Sequence, residues 1–482
     1  MIEYTNLAPG LRIARVLNGL WQIADLERNG NNLDASSTAA YMLPYSEAGF
    51  TTFDMADHYG SAEDIAGAFT QQFSHKQPVQ LLTKWVPSPG PLTKSDVREA
   101  VQRALSRVKC NTIDLMQFHA WNYADPRWLE ALFWLTELKH EGLIQHLGLT
   151  NFDTAHLHIA VTSGIPVISN QICYSLLDQR ASGAMKEVCL QYNVRVLAFG
   201  TLAGGFLSNK WLNQPEPLLS ERLTWSQMKY KRFIDAAGGW QKFQEVLRVL
   251  HEVASSLGVS ISNVASRFIL EQPHVAGIII GARLGQSEHI HENEKLFSFH
   301  LSPAHQQLIA QALTQLHTIP GDCGDEYRKP PYLTASGDLS HHVNHFPLPY
   351  PTHTDATGKT KALSGTVWED IAGFSRAVRK GDRILISGTT ATHGNRSIGG
   401  NNAAAQTHFA IDKIEGALQS LGSKLDDVIR TRIYIRHISD WETVARAHGQ
   451  RFKTIQPVNT MIQANLIGDE YLVEIEAEAI TE

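Results

Sequence analysis

Residues whose side chains could hold and donate a proton together follow three neighbouring β-rich runs near the N-terminus. In "TTFDMADHYG" an apolar run ends in Asp54, and Tyr59 comes five residues later. The run "LLTKW" carries Lys84, and "LMQFH" ends in His119. A single Asp after a strand is usually a helix cap, and a single Lys there is usually solvated. Apolar runs that each lead to one ionisable group favour a buried site in which the groups are paired.

The chemistry that these four types support is proton donation during hydride transfer to a carbonyl. Tyrosine has a pKa near 10 and is a weak acid at neutral pH. A neighbouring ammonium group lowers that pKa, because it favours the phenolate. A carboxylate would hold the ammonium in place, and an imidazole could hydrogen-bond the substrate oxygen. Tyr59, Lys84, Asp54 and His119 supply these parts in that order.

The four side chains meet only if the runs end at one edge of a common sheet. From the N-terminus to about residue 318, eight short β-rich runs alternate with helical patterns such as "SDVREAVQRALSRV", for which Ser95 is the expected N-cap. Eight strands over roughly 300 residues predict an α/β fold, a (β/α)8 TIM barrel with its active site at the carboxyl ends of the strands. The alternative is an open doubly wound sheet, but the first run, "GLWQIADLERNG", lacks a glycine-rich phosphate turn.

The pattern changes after the eighth run. Residues 319–367 are rich in Pro, Gly, His and Thr without periodicity, and are expected to be a linker or tail. Residues 368–482 alternate strand-like runs with two helical patterns, which predicts a small α+β domain. We expect the first part of the tail, residues 321–340, to fold over the barrel mouth, because Tyr327, Tyr332 and Leu333 are unusual in a free linker.

Composition narrows the class of protein. Of the 482 residues 43% are hydrophobic and 19% are charged, and the net charge of −6 does not favour binding to nucleic acid or to an anionic membrane. No apolar run reaches the length of a membrane span, and no secretory signal is visible. The four cysteines show no pairing pattern, which predicts reduced thiols in a cytoplasmic protein. No metal-ligand spacing occurs, and His341 and His342 are expected to be solvated.

Six motifs in order make residues 1–318 similar to the aldo-keto reductases. They are "FDMADHYGSAE", "LLTKW", "IDLMQFH", "LGLTNF", "SNQICYSLLD" and "IIIGAR…HENEKLF". The resemblance implies a catalytic tetrad of Asp54, Tyr59, Lys84 and His119, with Tyr59 as general acid and Asp54 as its electrostatic support. It also implies a nicotinamide cofactor, NADP(H), with NAD(H) as a possibility.

The resemblance places the cofactor and substrate as well. Asn151 and Gln171 match the positions that bind the carboxamide, and Phe199 matches the aromatic residue that stacks on the nicotinamide. The segment "GARLGQSEHIHEN" matches the clamp of the 2′-phosphate through Arg283, His289 and Asn293. The residues expected at the substrate mouth are Trp21, Trp85 and Trp121, and three tryptophans favour a flat or apolar substrate.

Residues 368–482 resemble the reactive intermediate deaminase family, also called the YjgF family. The motifs are "DRILISGTTA", "DDVIRTRIYIRHISDWETVARAHGQRF" and "YLVEIEAEAI". In "QPVNTMIQ" Asn459 stands where the family has its catalytic arginine, whereas Glu474 keeps the glutamate of the last strand. Asparagine cannot form the bidentate carboxylate clamp of arginine. The resemblance therefore implies a binding or trimerising role rather than deamination, and a homotrimer assembled through this domain.

Three functions remain open from the sequence. The first is an NADP(H)-dependent oxidoreductase that reduces a small-molecule carbonyl or oxidises the alcohol. The second is a bifunctional enzyme in which an imine is reduced by the barrel, or is hydrolysed by the C-terminal domain before the carbonyl is reduced. The third is a cofactor-binding regulatory subunit with an oligomerising C-terminal domain, for which Lys84 and His119 would have no use.

Overall fold

The predicted barrel is present and closed. The computed structural model describes residues 1–27, 30–73, 78–218, 223–329, 333, 339–343 and 347–481. Eight parallel strands pair in sequence order, and the last pairs with the first. They are Val16–Gly19, Thr52–Asp54, Gln80–Trp85, Ile113–Phe118, Ile144–Thr150, Val167–Cys173, Arg195–Phe199 and Val275–Gly281.

The helices of the barrel domain form where apolar faces recur and capping residues stop the pattern. Thr93, and not Ser95, caps the helix that begins at Lys94, since Thr93 accepts from the backbone of Asp96 and the Asp96 side chain bonds back to Thr93. The α-helices are Trp21–Leu26, Ala35–Ala39, Leu43–Glu47, Ala62–Phe73, Lys94–Val108, Arg127–His140, Thr154–Thr162, Ala184–Gln191, Trp225–Ala236, Trp240–Leu257, Ile261–Leu270, Ile290–Lys295, Pro303–Leu313 and Asp325–Arg328.

A hairpin precedes the barrel. Its strands, Tyr4–Ala8 and Leu11–Ala14, are antiparallel. Leu7, Leu11 and Ile13 pack with apolar side chains from inside the barrel, such as Leu82. The hairpin therefore covers the amino-terminal end of the barrel and leaves the carboxyl end of the strands for a site.

The C-terminal domain is built on one mixed sheet of seven strands. In spatial order these are Thr352–Thr354, Thr360–Ala362, Ala377–Lys380, Arg383–Thr390, Val473–Ile480, Val428–Ile435 and Val458–Gln463. The first two strands fall within residues 319–367, the stretch expected to be linker. The α-helices are Val367–Ala372, Ala403–Ser420 and Trp441–Phe452, and a two-stranded ribbon pairs Thr392–His393 with Arg396–Ser397.

The two domains share a buried interface. Phe409 and Ala405 of the helix Ala403–Ser420 belong to the same apolar cluster as the barrel helices. Gly416 lies so close to the barrel that a β-carbon there would come within 2.3 Å of the carbonyl oxygen of Ala124. At the centre, Nε2 of His156 lies 2.9 Å from Oδ2 of Asp412. The C-terminal domain is thus packed against the barrel through apolar and charged contacts.

Seven short 3-10 turns complete the described secondary structure. They are Ala40–Met42, Arg180–Ser182, Ala203–Gly205, Asn209–Trp211, Leu339–His341, Leu425–Asp427 and Ile438–Asp440. Within the described part of the chain no single helix is both long and apolar enough to cross a membrane, although the bent pair Trp240–Leu257 and Ile261–Leu270 passes by length and composition.

Candidate active site

A pocket of about 400 Å³ opens at the carboxyl ends of the barrel strands. Asp54 ends the second strand, Lys84 lies in the third, and His119 directly follows the fourth. Tyr59 comes from the turn after the second strand. All four residues line the pocket, so the structure brings together the tetrad expected from the sequence.

The turn that carries Tyr59 is held from one side by a carboxylate. Glu27 accepts hydrogen bonds from the backbone nitrogen of Ser61 at 2.8 Å and from its hydroxyl at 2.6 Å. Gly60 has a φ of +55°, and a β-carbon there would lie 1.9 Å from Oε2 of Glu27. A larger residue at position 60 would be strained by the positive φ and would displace the Glu27 carboxylate. The position of Tyr59 is therefore fixed by its two following residues.

Beneath Tyr59 lies a buried ion pair. Nζ of Lys84 is 2.7 Å from Oδ2 of Asp54 and donates to the carbonyl of Met55 at 2.7 Å. The other carboxylate oxygen of Asp54 accepts from Gln171 at 2.7 Å. Nζ of Lys84 also lies 4.7 Å from the centre of the Tyr59 ring. Because both charges are buried and paired, the ammonium is kept in one place.

The structure corrects one expectation about acidity. Burial, followed by the negative charge of Asp54, raises the pKa of Tyr59 well above 10. Burial lowers the pKa of Lys84, although the Asp54 carboxylate opposes this. The sequence suggested that Lys84 would lower the pKa of Tyr59 by stabilising its phenolate. The cost of burying a charged phenolate outweighs that stabilisation. Tyr59 consequently keeps its proton at neutral pH and can donate it.

His119 has one nitrogen bound and one without a partner. Nδ1 lies 3.3 Å from the carbonyl oxygen of Thr150, which can only accept, so Nδ1 carries the hydrogen. Nε2 is buried and makes no hydrogen bond with the described residues. Burial, together with the charge of Arg328, lowers the pKa of His119 well below 6.5. The ring is therefore neutral at physiological pH, and Nε2 is an acceptor rather than a donor.

Comparison with known proteins gives the family of the barrel. The model of the Aldo/keto reductase family matches residues 15–314.

The chain belongs to the aldo/keto reductase family. An aldo-keto reductase of Bacillus subtilis is 24% identical over 346 residues, which is 68% of this chain and 98% of that protein. The glycerol dehydrogenase of Gluconobacter oxydans is 20% identical, with a TM-score of 0.55 over 67% of this chain and 97% of that one, and so shares the fold. The predictions of a TIM barrel and of an oxidoreductase family are confirmed.

The C-terminal domain has its own match. Residues 367–481 match the family model described as Endoribonuclease L-PSP. An uncharacterized protein of Streptomyces coelicolor is 38% identical over 120 residues, which is 25% of this chain and 90% of that protein. The second family predicted from the sequence, the YjgF family, is confirmed for this part of the chain.

Aldo/keto reductases generally use a nicotinamide nucleotide, and the pocket has groups that fit one. Asn151, held at a φ of +59°, has a buried Oδ1 without a partner among the described residues. Gln171 donates to Asp54 and to Gln117, which fixes its amide and leaves its oxygen to accept from a carboxamide. Phe199 lines the same pocket. An orphaned amide oxygen and an aromatic ring in one pocket suit the nicotinamide end of a cofactor.

Only two of the three residues expected to bind the 2′-phosphate line the pocket. Arg283 and His289 line the pocket of the reductase barrel. Asn293 is buried one turn further along the helix Ile290–Lys295 and is not among the lining residues.

The three expected tryptophans also differ in position. Trp21 lines the pocket, with its ring centre 5.0 Å from that of Tyr59, and Trp121 lines it beside His119, at 4.3 Å. Trp85 is buried against Phe118 instead and does not line the pocket. As the last residue of a barrel strand, Trp85 faces the surrounding helices, because side chains alternate along a strand.

Sequence reasoning missed a group that the helix Trp225–Ala236 brings to the mouth. Trp225 and Lys229 from this helix line the pocket. Nζ of Lys229 donates to the hydroxyl of Tyr327 at 2.8 Å and lies 5.0 Å from the centre of the Phe199 ring. The signal available in the sequence was the stretch "WSQMKYKRF", in which cationic and aromatic residues alternate.

The segment that follows the helix Pro303–Leu313 lies against the mouth. Arg180 donates to the carbonyl of Asp322 at 2.6 Å and pairs with Glu326 at 3.0 Å. A β-carbon at Gly324, whose φ is +81°, would lie 2.0 Å from the carbonyl oxygen of Asn151. Tyr327 then lines the pocket. Of the residues expected to form this cover, Tyr332 lies outside the described residues.

In the C-terminal domain the two candidate residues do not form a clamp. Asn459 is exposed and donates to the hydroxyl of Thr431 at 2.9 Å. Glu474 is partly buried on the strand Val473–Ile480, which the strand Val428–Ile435 separates from that of Asn459. Burial, followed by the charge of Glu476, raises the pKa of Glu474. Arg376 is the nearby cation, but its guanidinium donates to the carbonyl of Gly388 at 2.7 Å and to the hydroxyl of Thr389 at 2.9 Å.

Proposed function

We propose that the protein is an NADP(H)-dependent oxidoreductase that reduces a carbonyl compound with Tyr59 as general acid. The observation that supports this proposal most strongly is the buried ion pair of Lys84 and Asp54. It lies directly beneath the Tyr59 ring, in the pocket at the carboxyl ends of the barrel strands. A site that only bound a cofactor would have no need of a buried ion pair at this position. Membership of the aldo/keto reductase family supports the reaction class.

Each residue has a separate task in this proposal. When bound, the nicotinamide supplies the hydride, and Tyr59 donates the proton that the carbonyl oxygen needs. The raised pKa of Tyr59 keeps that proton in place up to alkaline pH. Lys84 stands beside the phenol, so the phenolate left after transfer is next to a positive charge. Asp54 holds Lys84 in position.

We assign the preference for NADP(H) over NAD(H) to the residues that would meet the 2′-phosphate. Arg283 and His289 would meet the 2′-phosphate of NADP(H), and Asn151, Gln171 and Phe199 would hold the nicotinamide. A guanidinium suits a phosphate because it offers several donors in a planar fork. The four unpaired cysteines suit a reducing compartment, and we place the protein in the cytoplasm on that ground.

The C-terminal domain is assigned to assembly rather than to deamination. Asn459 and Arg376 provide no open carboxylate clamp next to Glu474. One face of the seven-stranded sheet carries Leu385, 46% exposed, between charged residues. We propose that this face packs against other copies of the chain in a homotrimer, whereas the helix Ala403–Ser420 on the opposite face packs on the barrel.

A steady-state screen tests the function. Consumption of NADPH is measured with aldehydes, ketones and cyclic imines of matched size, and NADH is tested in parallel. The proposal expects turnover with carbonyls and weaker use of NADH. Turnover with imines alone would favour the bifunctional enzyme, and binding of NADPH without any turnover would favour the regulatory subunit.

A further inference from the structure

The loop that follows the fourth barrel strand carries two residues of the pocket. This fourth-strand loop comprises residues 119–126, between the strand Ile113–Phe118 and the helix Arg127–His140. His119 is its first residue and Trp121 its third, and both line the pocket. The position of the loop therefore affects the place where a substrate would lie.

The C-terminal domain contacts this loop directly through its helix Ala403–Ser420. Nδ2 of Asn122 donates to Oε1 of Gln419 at 3.1 Å. Gly416 packs so tightly on the loop that a β-carbon there would lie 2.3 Å from the carbonyl oxygen of Ala124. Oδ1 of Asn122 accepts from the backbone nitrogen of Ala124 at 3.0 Å, so both contacts hold the same turn of the loop.

A third contact reaches the loop through a histidine of the barrel. Oδ2 of Asp412 lies 2.9 Å from Nε2 of His156. The His156 ring stacks on Tyr123, with the ring centres 3.4 Å apart and the planes at 6°. Asp412, Gly416 and Gln419 are separated by four and three positions, so they lie on one face of their helix. One helical face thus holds three consecutive residues of the loop.

Contacts of another kind join the two domains away from the pocket. Nε2 of His393 lies 2.9 Å from Oε1 of Glu130, and the guanidinium of Arg396 lies 4.0 Å from the centre of the Phe133 ring. Both barrel residues belong to the helix that follows the loop. The helical face described above differs from these contacts, because it meets the chain within three residues of Trp121.

We propose that the C-terminal domain positions the fourth-strand loop of the reductase site, with Gly416 and Gln419 as positioning residues. The inference rests on the proposed carbonyl reduction and adds a direct effect on turnover to the assembly role of the domain. Neither residue is among those that line the pocket, so both act through the loop and through Trp121. The residues proposed to hold NADPH lie on other segments of the barrel, and binding of NADPH should therefore not depend on this contact.

Gly416→Ala is the sharpest perturbation of the contact. The carbonyl oxygen of Ala124 must retreat by about 1 Å to make room for the added β-carbon, and a misplacement of this size can lower a rate about a hundredfold. With NADPH and the best carbonyl from the screen, kcat/KM per NADPH-binding site should fall by about ten- to a hundredfold. The Kd for NADPH, measured by fluorescence titration, should be unchanged.

Two control variants separate positioning from a general loss of stability. Gly449→Ala changes another helical glycine of the same domain, where an added β-carbon meets no described atom within 4 Å. His393→Ala removes the contact with Glu130 and weakens the domain boundary away from the loop. Both should keep the wild-type kcat/KM. A loss of the same size in either control, a wild-type kcat/KM in Gly416→Ala, or a parallel loss of NADPH affinity overturns the proposal.

Gln419→Ala tests the position of the loop without any need for turnover. It removes the bond to Asn122 and adds no bulk, so it also covers the case in which Gly416→Ala does not fold. Hydrogen–deuterium exchange of the full chain should be faster across residues 119–125 in Gln419→Ala than in His393→Ala. Equal exchange in the two variants overturns the proposal. Absence of turnover with every carbonyl in the wild type is a different result, since it removes the proposed carbonyl reduction and leaves the exchange experiment to decide the role of the domain.

Discussion

The buried histidine between the two domains should make the stability of the protein depend on pH. His156 lies 2.6 Å from Asp153 of its own helix cap and 2.9 Å from Asp412 of the C-terminal domain, and its ring stacks on Tyr123 at 3.4 Å. Asp412 also pairs with Arg451 at 2.6 Å. The side chain of His156 is only 5% exposed. A change of its charge therefore acts directly on the interface.

The size of the pH effect on stability follows from the pKa of His156. Burial lowers the pKa of His156, but Asp153 and Asp412 outweigh it and raise the pKa from 6.5 to about 9. Because the folded pKa lies above the unfolded one, the stabilisation is complete below about pH 6.5 and is lost as the pH rises to about 9. The difference between the folded and unfolded pKa values of His156 corresponds to about 3 kcal/mol of unfolding free energy. Asp153 and Asp412, whose pKa values are lowered, lose their contribution only at acid pH.

The assay is urea unfolding of the full chain at about pH 6 and about pH 9.5. In His156→Gln the side chain can still form hydrogen bonds but cannot titrate, so the free-energy difference between the two pH values should shrink by about 3 kcal/mol relative to wild type. His158→Gln, two residues further on the same helix, is the control. Burial lowers the pKa of His158, so its contribution to stability is lost as the pH falls and has the opposite sign to that of His156.

Two results would refute the reasoning. One is a wild-type difference that persists in full in His156→Gln, which would mean that other groups cause it. The other is an equal reduction in His158→Gln, which would mean that the effect belongs to the helix and not to the interface.

Three further predictions concern the cofactor, the pH profile and assembly. Arg283→Ala should weaken NADPH binding roughly ten- to a hundredfold and leave NADH binding nearly unchanged, as measured by fluorescence titration, since one charge-assisted contact to the phosphate is lost; equal losses would contradict the role. Carbonyl reduction should show no inflection near pH 6.5, because burial lowers the pKa of His119 and its ring stays neutral there, and the rate should fall at alkaline pH as Lys84, whose pKa burial lowers, loses its charge. Light scattering should find a trimer, which Leu385→Glu dissociates and Leu190→Glu, on an exposed barrel helix, does not; a monomeric wild-type chain would remove the assembly role.

The barrel, and the convergence of the four expected residues at its mouth, were predictable because both depend on local patterns. Asp54 ends its strand, and Lys84 and His119 lie within one residue of the ends of theirs, so all three could be placed at the mouth from strand order alone. Helix ends were less certain. Ser95 and Thr93 are both good caps, and only the return bond from Asp96 decides between them.

The features that the sequence did not reveal depend on contacts between distant segments. Lys229 acquires its role from Tyr327, which is 98 positions away, and His156 from Asp412, which is 256 positions away. The strands Thr352–Thr354 and Thr360–Ala362 are short and polar, and pair only because the edge of the C-terminal sheet is available. No periodicity over a few residues carries such information.

The most direct test of the central claim is the turnover of Tyr59→Phe. This substitution keeps the ring beside Lys84 and Trp21 but removes the proton donor. With NADPH and the best carbonyl from the screen, we expect kcat to fall by ~10²–10⁴ while NADPH affinity is retained. Tyr192→Phe, which removes a phenol that bonds His158 outside the pocket, should keep full activity. Near-complete turnover in Tyr59→Phe would contradict the assignment of Tyr59 as the general acid and, with it, the proposed mechanism.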